Sequence, residues 1–184
     1  MRIQNRTRYS ILLAACLVLW AAATTQAASK VELNAKVNAC LKAFYKEVPE
    51  GKELANKSKG MLVFPSVIKA GIGIGGEYGE GSLIIGGKTV DYYSTAAASI
   101  GFQLGAQSKA IILMFMQQGA LNDFRNAQGW KIGVDGSVAL IELGAGGSID
   151  TDNIKDPVIG FVFGQKGLMY NLTLEGSKIT KLKK

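Results

Sequence analysis

Lys69-Ala70-Gly71-Ile72-Gly73-Ile74-Gly75-Gly76-Glu77-Tyr78-Gly79-Glu80-Gly81 is the stretch on which the fold turns. Bulky and bare positions alternate through it, with Ile72 and Ile74 set between Gly71, Gly73 and Gly75. A period of two is the pleat of a β-strand and not the 3.6-residue repeat of a helix. Such a strand has one bulky face and one bare face. Interior glycine weakens a strand, so the bare face predicts either an element in close approach or a strongly curved backbone. Gly101 and Gly105 alternate with Phe102 and Leu104 in the same way, and Gly160 and Gly164 flank Phe161 and Phe163.

Gly71 to Gly76 also fits G-x-G-x-x-G, the dinucleotide fingerprint. That motif works only where a strand ends and a helix begins, so that the helix N-terminus holds the pyrophosphate. Here Glu77, Gly79 and Gly81 follow and no helix opens. Upstream, Ser66-Val67-Ile68-Lys69 fits the S-x-x-K of serine β-lactamases, but Pro65 before it and the glycines after it predict a turn rather than the required helix.

The pattern continues downstream. Segments 61–64, 70–78, 82–85, 88–94 and 99–106 read as strands, and Gly86-Gly87 reads as a two-residue hairpin link. Segment 110–116 is an unbroken apolar run suited to a fully buried strand. A short helix over 118–126 and a strand over 132–143 follow. Segments 158–163, 168–174 and 177–182, separated by Gln165-Lys166-Gly167 and Glu175-Gly176, predict an antiparallel meander.

Upstream the period is helical. Ser29-Lys30-Val31-Glu32 is a capping box, in which hydroxyl and carboxylate each satisfy a backbone donor. Leu33, Val37, Cys40, Leu41, Phe44 and Val48 then form one apolar stripe, and Pro49 stops the helix near Glu47. Lys42 and Lys46 lie one turn apart on the opposite face. A shorter helix is expected over 50–58. The fold class is α+β: N-terminal amphipathic helices packed on a curved, glycine-rich, mostly antiparallel β-sheet.

Composition bounds the function. The 184 residues include 23 Gly and 3 Pro, with a formal charge of +7. Arg2, Arg6 and Arg8, the uncharged run 11–23 and Thr25-Gln26-Ala27 read as a secretory signal peptide over 1–27, leaving 28–184 as a single domain. The rival parse is a lipobox, Leu13-Ala14-Ala15-Cys16, but the apolar run 17–23 stands where a polar tether belongs. Cleavage after Ala27 predicts a periplasmic or envelope-associated protein. It leaves Arg125 as the one arginine, which disfavours base readout and hence nucleic acid.

There is no histidine, and Cys40 alone survives cleavage, so no internal disulfide, Cys/His metal site or nucleophile–base constellation can be assembled. Asp150, Asp152 and Asp156 resemble the start of a calcium loop without its glycine and closing glutamate. Glu77 with Glu80 is an acid/base pair only in principle, and Asn171-Leu172-Thr173 is an incidental sequon. The reading is of a protein that is not an enzyme and needs neither cofactor nor metal.

Gly60-Met61-Leu62-Val63-Phe64-Pro65 leading into the glycine stretch resembles the core of the SYLF domain. The likeness continues through Tyr92-Tyr93-Ser94, Gly105-Ala106-Gln107-Ser108, Leu121-Asn122-Asp123-Phe124-Arg125, Gly160-Phe161-Val162-Phe163 and Gly167-Leu168-Met169-Tyr170-Asn171-Leu172-Thr173-Leu174-Glu175-Gly176. This lipid-binding family was first met in yeast and animal endocytic actin-patch proteins and is common in exported bacterial proteins. The resemblance implies a non-catalytic module that binds acidic phospholipids, phosphoinositides in eukaryotes, with actin binding in some members. It implies membrane contact by the N-terminal amphipathic segment, here 29–48. Export places this chain away from cytoplasmic phosphoinositides, so phosphatidylglycerol or cardiolipin is the expected ligand. Lys30, Lys36, Lys42, Lys46, Lys52, Lys57 and Lys59 are the candidate lipid-binding residues. The other reading is a protein-interaction module, with an actin-type or envelope protein partner.

Overall fold

The computed structural model describes residues 29–142, 156–167 and 176–184. Helix α1 spans Lys30–Glu47, α2 Gly51–Lys57 and α3 Gln118–Asn126. The strands are β1 Gly60–Ile85, β2 Lys88–Phe115, β3 Trp130–Lys131, β4 Ala139–Glu142, β5 Val158–Gly167 and β6 Lys178–Leu182. All six join one sheet. Four pairings are antiparallel, and β4 with β5 is parallel. The α+β class and the mainly antiparallel sheet are as the sequence predicts. The signal segment, the Asp150–Asp152 part of the acidic loop and segment 168–174 lie outside the described residues.

α1 starts where Ser29 Oγ accepts from the Glu32 N–H at 3.1 Å. Only half of the expected capping box forms, because the Glu32 carboxylate turns to Lys36 at 2.6 Å instead. The helix ends at Glu47, and Pro49 follows its cap residue Val48. Leu33, Val37, Cys40 and Phe44 are all buried on one side of it. Phe44 is 0% exposed, with its ring edge-on to Phe161 at 4.9 Å between centroids. The apolar stripe therefore lies in protein.

The five short strands expected between residues 61 and 106, together with the apolar run after them, are in fact two very long ones. β1 pairs with β2 from Gly60↔Phe115 to Ile85↔Lys88. Gly86 and Gly87 close the hairpin at φ +56 and +75, the backbone that a tight primed turn requires. Breaks in register fall between Phe64 and Val67, Ile72 and Ile74, and Leu83 and Ile84. These bulges bend the ladder without ending it, which is why Pro65 and the glycines look like punctuation in sequence. No turn forms over Ser66–Lys69.

The bare glycine face is explained by β1 itself. A Cβ on Gly79 would lie 2.7 Å from Val67 Cγ2 and 2.8 Å from the Ser66 carbonyl oxygen. One on Gly81 would meet the Val63 carbonyl and the Phe64 ring, and one on Gly71 would meet Gly75. The strand doubles back so that its first half abuts the glycine face of its second half. Curvature and close approach are one feature here.

β2 is long enough to serve two further partners on its other edge. β5 pairs with its 107–115 end and β6 with its 92–96 end. The middle strand of the expected C-terminal meander, 168–174, lies outside the described residues, and its two outer strands, β5 and β6, both pair with β2. The expected strand 132–143 is also interrupted. Gly133 takes φ +80, and the Lys131 N–H donates to the Asp135 carboxylate at 2.7 Å, a turn between β3 and β4.

Two cores result. One contains Leu62, Phe64, Leu83, Tyr93, Leu113, Phe115, Phe124 and Trp130. The other is sealed by α1 and α2, with Leu33, Phe44 and Leu54 packed on Val63, Ile112, Met114, Phe161 and Phe163.

Candidate functional site

Among the places that gather charge in the described residues, two bear on function. The first is the outward surface of α1 and α2. Since α1 spends its apolar stripe on the sheet, Lys42 and Lys46 sit on the side turned to solvent, one turn apart and within about 5–6 Å of each other at Cβ. All seven candidate lysines are exposed. Lys36 reaches Glu32 at 2.6 Å and Lys57 reaches Glu53 at 2.7 Å, and each pair holds its carboxyl below the ordinary glutamate range. Lys30, Lys42, Lys46, Lys52 and Lys59 enter no ion pair among the described residues. The structure brings these lysines together as a belt along a helix pair, with Glu47 and Glu50 among them, and not as a pocket.

The second place is inside the curl. Lys69, Glu77, Gln107 and Lys109 are all buried. Lys109 Nζ donates to Glu77 Oε2 at 3.0 Å, and Glu77 Oε1 has no partner among the described residues. Val67↔Lys109 and Lys69↔Gln107 are neighbouring register pairs, so the two lysines lie on one face. Gln107 Nε2 reaches Gln165 Oε1 at 3.5 Å. This group is not visible in the sequence, where Pro65 and the following glycines predict a turn over 66–69. The bulge after Phe64 shifts the alternation and points Lys69 inward. Glu77 and Glu80 do not meet: Glu80 accepts from Tyr78 Oη at 3.0 Å and pairs with Lys184 at 2.8 Å.

Cys40 is buried in the α1 core, and burial, helped by Glu47, pushes its thiol up to about 12. A thiol of that kind is a packing residue rather than a nucleophile. A cleft of about 260 Å³ is lined by Asp123, Trp130, Asp135 and Ser137, among others. Among the described residues no group of three or more His, Cys, Asp or Glu could hold a metal ion.

No curated protein matches the chain. The family model described as Las17-binding protein actin regulator (Ysc84), the SYLF domain, matches residues 96–184. The match takes in most of β2 and everything after it, including the partner strands that hold the curl together, and the glycine stretch of β1 lies just ahead of it. The order of motifs in the sequence and this match agree, and residues 96–184 belong to the SYLF domain family.

Proposed function

We propose that this protein is an exported, non-catalytic module that binds anionic phospholipid at a membrane surface through the outward face of α1 and α2. The observation that carries the reading is the division of α1 into two faces. Its apolar stripe is consumed by the core, so its outward side offers lysines, with Val31 the one large apolar residue exposed on it. Unpaired Lys42 and Lys46, with Lys30, Lys52 and Lys59 alongside, would concentrate near an anionic headgroup layer by simple Coulomb attraction. Lysine suits this task, because a phosphate surface asks for point charge and not for bidentate geometry. Among the described residues no helix is long and apolar enough to cross a membrane, which is compatible with attachment from one side.

The test is sedimentation of purified protein with vesicles of different headgroups, alongside Lys42→Glu with Lys46→Glu. The parent should sediment with phosphatidylglycerol or cardiolipin and not with phosphatidylcholine. The double variant should keep its circular dichroism and lose most binding, since both side chains face solvent. Parent protein that ignores every anionic composition would sink the lipid reading.

The second reading, a protein-interaction module of actin or envelope type, is favoured by the description that the matched family carries, a Las17-binding actin regulator. Co-sedimentation with filamentous actin, in the absence of vesicle binding, would select it.

A further inference from the structure

The sequence from Ala70 to Gly76 carries no charged residue, and neither does that from Ser94 to Ala106. These two segments are the bent middle of the β1–β2 hairpin, where Gly71 closes on Gly75 and the register shifts between Ile72 and Ile74. The inner face of the bend is polar, with Lys69, Glu77 and Gln107. The outer face is the reverse. Ile68 is 55% exposed, Ile74 74% and Tyr78 49%, and these are three of the seven large hydrophobic residues exposed among the described residues. Ala70, Ala96, Ala98 and Ala106 are exposed around them. The molecule thus presents a convex apolar bend to solvent, an arrangement that ordinarily marks an interaction surface.

What flanks the bend identifies its occupant. Directly opposed residues on neighbouring strands share a face. Ile68 lies opposite Ser108, which lies opposite Lys166. On the other flank Tyr78 lies opposite Ala96, then Lys178, then Lys131. All three lysines are exposed. Two strand spacings separate Ile68 from Lys166 and Tyr78 from Lys178, about 10 Å in each case. Glu80, the carboxylate beside Tyr78, is held by Lys184 at 2.8 Å. An uncharged apex collared by cations on both flanks, with a tyrosine at the boundary, is complementary to an anionic bilayer: hydrocarbon for the apex and phosphate for the collar.

We infer that the bend of the β1–β2 hairpin, with Ile74 at its apex, enters the interfacial layer of an anionic bilayer, while Lys166, Lys178 and Lys131 meet the headgroups. This rests on the lipid reading above and assigns insertion to the sheet, leaving long-range attraction to α1.

The probe is vesicles of phosphatidylglycerol, plain or with brominated acyl chains that quench tryptophan by contact. Ile74→Trp should be strongly quenched by the brominated vesicles, and Val90→Trp, an exposed apolar site near the Gly86-Gly87 end of the hairpin, should not. Ile74→Asp should lower vesicle affinity about tenfold or more, since it removes a buried aliphatic side chain from the complex. Both sites are exposed, so the fold should survive either change, as circular dichroism will check. If the parent binds vesicles but Ile74→Trp escapes quenching and Ile74→Asp binds normally, the inference is overturned while the lipid reading stands. If the parent binds no vesicle, the lipid reading falls and the inference with it. A concentration-dependent dimer that Ile74→Asp dissociates would also overturn it, by making the bend a contact between copies of this chain.

Discussion

Phe44 decides which way α1 faces. It is wholly buried, rests on Phe161 and Phe163, and leaves room for its ring only because residue 51 is glycine, where a Cβ would come 2.5 Å from Phe44 Cε1. Phe44→Ala should therefore cost about 3–5 kcal/mol in urea unfolding. A loss under 1 kcal/mol would mean that the ring is not in the core. Two buried acids set the alkaline limit. Cys40 is pushed from 9.0 to about 12 by burial and then Glu47, and Tyr93 from 10.0 to about 12 by burial and then Asp91, with the Tyr93 hydroxyl unpartnered among the described residues. In the unfolded chain both ionise at ordinary values, so above about pH 9 that state releases protons which the native state retains. Stability contributed by the neutral groups is whole below pH 9 and should fall as pH rises toward 12. A melting temperature that stays flat from pH 8 to 11 would contradict this. At this scale the sequence was legible for Phe44, whose helical period is unbroken. It was not legible for Lys69 and Lys109, because a strand alternation can be carried forward only until a bulge resets it.

The elements were legible wherever local chemistry is decisive. The Ser29 cap, the stop at Pro49, the Gly86-Gly87 link and the helix Gln118–Asn126 all stand as read. Strand continuity was not legible, since Pro65 and the six glycines from Gly71 to Gly81 look like breaks until the bent ladder shows why they are tolerated. Nor was the strand order, because nothing local says that β2 will carry both β5 and β6. The curl makes its own prediction. Gly81→Ala places a methyl against the Val63 carbonyl, backbone that cannot swing aside, and should destabilise by about 1–3 kcal/mol. Gly76→Ala would meet only the Ala97 carbonyl oxygen, at 3.8 Å, and should cost far less. Equal midpoints for the two variants in chemical denaturation would mean that β1 does not close on itself.

For the whole molecule, the family was readable because its motifs run in order along the chain, and the match over 96–184 rests on the half that carries the sheet partners. The proposed lipid surface was only half readable. Lysines on a helix can be counted in sequence, whereas the apolar bend exists only once the hairpin is folded over. The proposed export carries a prediction of its own: intact mass of protein recovered from the cell envelope should give an N-terminus at Ala28, and an acylated Cys16 would establish the lipobox parse instead. The central claim is attraction of a basic, folded domain to anionic lipid. It is tested most directly by the affinity of the parent protein for phosphatidylglycerol against phosphatidylcholine vesicles across a salt series. Binding to phosphatidylglycerol alone, weakening steadily as salt shortens the screening length from about 10 Å at 0.1 M toward 3 Å at 1 M, is the predicted result. Equal affinity for both lipids, or binding to phosphatidylglycerol that salt leaves unchanged, would contradict it.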